Sequence, residues 1–228
     1  MGQPAASEDT KSGAGSPASS PLATLLPGGR IRPGTAVSAS GDMPLLLALA
    51  AESSRDAVGW AAVGLPQMGV LAAQAAGLDL AHGMRIDTPG QQWAQVLATV
   101  LEAVPVVMTG SLGLVPDRIA RRLAAVMRRS GSVLLSAGGW QGADVRLQVV
   151  TSSWEGVGQG HGLLHARRVT VAAAGRGAAA APRYAEMWLP GPGGAIAAMT
   201  GEDGAVSAVP AASAIRAAGG RAALRVVG

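Results

Sequence analysis

Apolar residues come in short blocks from about residue 35 onward, and their spacing switches between a strand period and a helix period. Residues 35–40 alternate apolar and small polar side chains, which predicts a strand. Residues 43–54 are Leu- and Ala-rich, and Pro44 can open a helix there from its first turn. Residues 57–63 predict the next strand and 66–76 the next helix, closed by Gly77. A short strand at 84–87 leads through Thr88-Pro89-Gly90 into an amphipathic helix at 91–103. Residues 104–108 are continuously apolar, as in a strand buried on both faces. Residues 117–129 put Ile119, Leu123, Val126 and Met127 on one helix side and arginines on the other, and 132–137 predict another buried strand.

The pattern then changes. Residues 145–154 and 163–173 both alternate, with a Gly-rich stretch between them, and predict an antiparallel pair. Residues 184–189 and 195–200 flank a Pro- and Gly-rich turn and predict a last hairpin. Strand–helix alternation followed by antiparallel strands is a doubly wound α/β architecture, a mostly parallel sheet with an antiparallel β extension. Residues 1–22 are Gly, Ser, Pro and Ala with scattered charge, too poor in apolar groups to repay ordering, and predict a disordered tail. The core is expected over 25–200, with a C-terminal tail at 201–228.

Composition narrows the chemistry. Of 228 residues 49% are hydrophobic but only 3% aromatic, with no Phe, so the core must be built from Ala, Val and Leu. With no Cys there is no disulfide framework and no thiolate. The longest apolar runs, 45–51 and 104–108, fall well short of the roughly 20 residues a membrane span needs. Acids at Glu8 and Asp9 argue against a secretory signal, so a cytoplasmic protein without membrane contact is expected.

Net charge is +4, but its distribution is uneven. Between residues 117 and 184 ten arginines face three acids. That half suits phosphate backbones or an acidic partner, or it is a solvated arginine surface. Arg121, Arg122, Arg128 and Arg129 can line one side of one helix. With Arg146 and Trp140 they are the candidate nucleic-acid residues; Trp140 and Trp154 would either stack bases or pack in the core.

In a doubly wound sheet the first strand-to-helix turn is the phosphate site. A working P-loop needs a Gly-rich turn followed by Lys and Ser or Thr. Here the junction reads Ser40-Gly41-Asp42-Met43-Pro44. Only Gly41 remains as a turn glycine, no Lys is present, Asp42 would repel a phosphate, and Pro44 removes an amide donor. The acid expected for a metal at the end of a buried strand is replaced by Thr109. The expectation is therefore no nucleotide, no metal, no cofactor and no catalysis. His161 and His165 are spaced four apart but lie in a strand-like setting, and Gly156-Val157-Gly158-Gln159-Gly160 precedes a strand rather than opening a helix.

Several stretches together resemble a known family. Leu26-Pro27-Gly28-Gly29-Arg30-Ile31-Arg32-Pro33-Gly34-Thr35 looks like the lead-in to a RecA core. Arg85-Ile86-Asp87-Thr88-Pro89-Gly90-Gln91-Gln92 resembles the RecA stretch before its metal-binding strand. The later helix, buried strand and closing strands follow in RecA order over residues 25–173. The chain resembles the ImuA-type RecA-like proteins of bacterial mutagenesis cassettes, in their shorter actinobacterial branch. The resemblance implies a RecA-like, P-loop NTPase-type core with a degenerate nucleotide site. It also implies a role supporting error-prone translesion synthesis, within SOS mutagenesis. Its implied partners are an ImuB-like Y-family polymerase homologue, an error-prone replicative-type polymerase, and DNA held weakly without sequence preference. The alternative is an atypical or residual RecA-class ATPase acting on DNA. Residues 138–143 are far shorter than a RecA DNA-binding loop, which argues against filament formation. In the C-terminal tail, Ile215, Arg216, Arg221, Leu224, Arg225 and Val226 are the candidate partner-docking residues, apolar anchors interleaved with arginines that suit an acidic surface.

Overall fold

The computed structural model describes residues 20–158, 161–199 and 225–226. Its strands are β1 (Ala36–Ser38), β2 (Trp60–Val63), β3 (Gly83–Ile86), β4 (Val106–Thr109), β5 (Val133–Ser136), β6 (Val145–Gly158), β7 (His161–Gly175), β8 (Arg183–Trp188), β9 (Ala197–Ala198) and β10 (Arg225–Val226). Its α-helices are α1 (Met43–Ser53), α2 (Val70–Ala75), α3 (Trp93–Ala103) and α4 (Asp117–Ser130). All the strands belong to one sheet in the order β3-β2-β4-β5-β1-β6-β7-β8-β9, with β10 paired to β6. The pairs from β3 across to β6 are parallel; β6–β7, β7–β8 and β8–β9 are antiparallel. The molecule is thus a mixed α/β fold whose parallel sheet continues into an antiparallel extension.

Helices cover both faces of the parallel part, so its central strands bury every side chain, apolar except for a hydroxyl residue at the end of β1, β4 and β5. On one face α1 packs Leu45, Leu46 and Leu49 with Val37, Trp60, Met108 and Leu135. On the other, Leu97 and Leu101 of α3 and Leu123, Val126 and Met127 of α4 meet Ala61, Val63, Val107 and Leu134. The helix ends follow local chemistry. Asp42 caps the start of α1, and Gly131 ends α4 in the left-handed conformation at φ 76°.

The β5-to-β6 crossover is unusual. β6 runs parallel to β1, so the chain must return from the carboxyl end of the sheet to its amino end between Ser136 and Val145. No helix fits in that length. Instead Trp140 and Ala143 sink into the α3–α4 core, at 2% exposure each, and take the place a crossover helix would fill.

The extension is built differently. Val145, Leu147, Val169, Val171, Ala173, Met187 and Leu189 join the α1-side core, while no residue of β6–β9 joins the other core among the described residues. One face of the extension is therefore packed and the other open, which explains the alternation in its sequence.

Two boundaries differ from the sequence expectation. Residues 20–22, grouped with the tail by composition, are packed: Pro21–Thr24 forms a single 3-10 turn against β8 and Leu22 is fully buried. Residues 1–19 lie outside the described residues. The hairpin is longer than its alternating runs, 14 and 15 residues, because the cross-strand ladder continues into the Gly-rich stretch past a register shift between Glu155 and Val157.

Candidate functional site

The turn between β1 and α1 lies at the carboxyl end of the central strands, where open α/β sheets bind ligands. Its geometry follows from Asp42. One carboxylate oxygen accepts from the Leu45 amide at 2.9 Å, capping the helix. The other accepts from Arg167 Nη1 at 2.7 Å, and both side chains are only 13–14% exposed. Arg167 comes from β7, donates through Nε to Ser152 Oγ at 2.7 Å, and lies 5.9 Å from the Trp154 ring centre. The carboxylate thus occupies the helix N-terminus with its own counter-cation, the position an anionic ligand would take.

The neighbouring amides are used as well. Gly41 N donates to Ala137 O at 2.5 Å, and Asp42 N to Ala39 O at 3.1 Å. Pro44, in the first turn of α1, has no amide proton to offer. Ser40 holds φ at 47°, so the turn is tight, and Gly41 follows at φ 90°.

The crest beside the turn is closed too. Ser38, Ser136 and Thr109 are register partners on β1, β5 and β4, a row of hydroxyls at the carboxyl end of the sheet. Ser38 Oγ and Ser136 Oγ both donate to Gly138 O, at 2.7 and 3.1 Å. Thr109 is fully buried and its hydroxyl has no hydrogen-bond partner among the described residues. Gly138 sits so close to Ser111 that a Cβ would come within 2.8 Å of its hydroxyl. The start of the crossover is therefore pressed against the loop after β4.

The other candidates separate. Arg121, Arg122, Arg128 and Arg129 are all exposed, and with Arg118 they fall within an arc of about 120° on α4 at 100° per residue. Arg129 also bonds Glu102 of α3 at 3.2 Å. Arg146 is exposed on β6 and donates to Trp140 O at 3.4 Å. In the amide orientation that satisfies both its ends, Gln141 of the same crossover donates to Asp117 Oδ1 at 2.8 Å, so Arg146 and the start of α4 share one support. Trp140 does not join this surface. Its ring is inside the core, and its candidacy as a base-stacking platform gives way to a packing role.

Ile215, Arg216, Arg221 and Leu224 lie outside the described residues; Arg225 and Val226 form β10. His161 and His165 sit on β7, about 13 Å apart along the strand at 3.3 Å per residue. Among the described residues no three His, Cys, Asp or Glu converge as a metal site, and no helix is long and apolar enough to cross a membrane. A cavity of about 300 Å³ between Leu26, Ile31, Val37, Asp144 and Arg176 opens at the opposite, amino end of β1 and β6.

Residues 24–142, just over half of the chain, match the family described as the MT3502 N-terminal domain. The chain belongs to that family. The MT3502 match takes in the β1–α1 turn, α4 and most of the crossover, and stops before the β6–β7 hairpin. A Mycobacterium tuberculosis protein, "Uncharacterized protein Rv3395c", is 34% identical over 135 residues, covering 58% of this chain and 66% of that protein, just under two thirds of its length.

Arg167 was not among the site candidates that sequence reasoning selected. It stands 125 positions from Asp42, and nothing local marks it out from the other arginines. The row Ser38, Ser136 and Thr109 was invisible for the same reason, since strand register brings it together.

Proposed function

We propose that this MT3502-family chain is a RecA-like accessory protein that handles no nucleotide and supports error-prone translesion DNA synthesis by binding a Y-family polymerase homologue of the ImuB kind. The observation that carries the non-catalytic part is the filled β1–α1 turn: Asp42 caps α1 and pairs with Arg167 where a phosphate would need free amides and a lysine. The order of motifs, and a doubly wound sheet that runs on into antiparallel strands, support the RecA-like reading. The exposed arginine arc of α4 supports weak contact with DNA backbone, and an error-prone replicative-type polymerase completes the proposed assembly. The reading carries a cytoplasmic setting.

Two measurements test it. Calorimetry with magnesium and ATP is expected to give no binding heat, and purified protein no ATP turnover. Micromolar affinity would overturn the reading in favour of a residual RecA-class ATPase. Co-purification with the Y-family homologue from the same source is expected to be stoichiometric, and failure of the two to associate would remove the accessory role.

A further inference from the structure

β6 has 14 residues, but β1 pairs with it only at Val145 and Arg146. Above that point the edge of β6 facing β1 would present a row of unpaired backbone groups, which proteins rarely leave open. The structure fills part of it from an unexpected source. Arg225 and Val226 pair with Ser153 and Trp154 in parallel, so the chain's own C-terminus enters the sheet as an added strand. Trp154 is also the register partner of Arg167, which reaches Asp42, so the added strand lies one strand away from the pair that closes the β1–α1 turn.

We propose that the upper edge of β6 is a strand-acceptor site, and that its resident occupant is this chain's own C-terminal strand, supplied in cis. Residues 200–224 span at most about 90 Å when extended, so tether length does not restrict the strand. Sequence suits the occupant: Leu224, Val226 and Val227 are apolar, two of them β-branched, and no acid stands among them. Recognition is through backbone hydrogen bonds, the mode by which extended peptides join a sheet edge. A strand from any other source must displace the resident one. This inference does not depend on the accessory role proposed above.

The test uses the full chain and its Arg225→Pro/Val226→Pro variant, which removes whichever of the two adjacent amides faces β6. Hydrogen exchange is read over β6, alongside binding of a fluorescent peptide matching residues 219–228. The variant is expected to lose protection at 151–156 by tenfold or more, to keep its melting temperature, and to bind the added peptide at least tenfold more tightly than wild type does. A peptide carrying the same two prolines is expected not to bind. Equal exchange in wild type and variant, or a variant that ignores the peptide, would overturn the proposal. So would β6 protection that vanishes on dilution together with a dimer, because that places the strand in trans. If the proline variant melts early, the Val226→Gly variant with the same peptide readout decides in its place.

Discussion

The parallel and antiparallel halves of this sheet are built on opposite plans. Across the central strands β2, β4, β5 and β1 helices cover both faces, two cores form, and the ligand-binding crest is closed by the chain's own groups. From β6 to β9 only one face is packed, leaving Arg146, Gln148 and Thr151 exposed on a sheet whose β6 edge, beyond its pairing with β1, is filled in part by β10. The half with helices on both faces is closed, while the half with one packed face offers open surface. The Asp42–Arg167 pair joins the two, since its partners come from the turn of one and the hairpin of the other.

Substitutions can break or sharpen this contrast. The largest effect is expected at Trp140, where Ala should cost about 3–5 kcal/mol by denaturant titration, because the crossover has no helix to substitute for that ring. Trp154→Ala on the half-buried hairpin should cost roughly a third of that. Equal costs would mean that the two halves are equally dependent on packing. Asp42→Ala loses a helix cap and leaves Arg167 without its carboxylate, an expected loss of about 2–3 kcal/mol. Arg167→Ala added to Asp42→Ala should cost less than the sum of the two single changes; strict additivity in the double-mutant cycle would show that the turn and the hairpin are not coupled.

The amino-terminal boundary gives a contrast of its own. Leu22→Ala should cost about 2 kcal/mol or more, whereas deleting residues 1–19 should move the melting temperature by no more than about 2 °C. The smallest stability effect is expected for the quadruple Ala variant of Arg121, Arg122, Arg128 and Arg129, roughly 0.5 kcal/mol or less per site. That variant should instead flatten the salt dependence of DNA binding, by up to about 0.9 in logarithmic slope for each phosphate no longer neutralised. An unchanged slope would leave the α4 arginines as a solvated face.

Much of the framework was legible from residue spacing. β4 and β5 announced themselves as continuous apolar runs because helices cover both their faces, and α4 announced itself through a split between leucine-type and arginine residues. Short elements were less legible. α2 is confined to residues 70–75, because the chain turns first at Leu65 to Met68 and Gly69 then supplies the N-cap. For Trp140 the sequence left base stacking and packing both open, since a short crossover holding Gly138, Gly139 and Gly142 carries no periodicity to say that it dives into a core.

By itself the sequence determined the alternation of strands and helices, the change to an antiparallel extension, and the residue types at the β1–α1 turn and the end of β4, where no lysine stands in the one and Thr109 closes the other. Those are local properties, set by side-chain period and residue type. Only the tertiary structure decided that Asp42 caps a helix and is charge-paired rather than simply misplaced, that Gly138 accepts from Ser38 of another strand, and that the C-terminal strand lands on β6. Apart from the cap, which is local, each of these joins residues far apart in the chain, 100 positions for Ser38 and Gly138 and 125 for Asp42 and Arg167. Strand register and the crossover path, not residue identity, bring them within a hydrogen bond of one another.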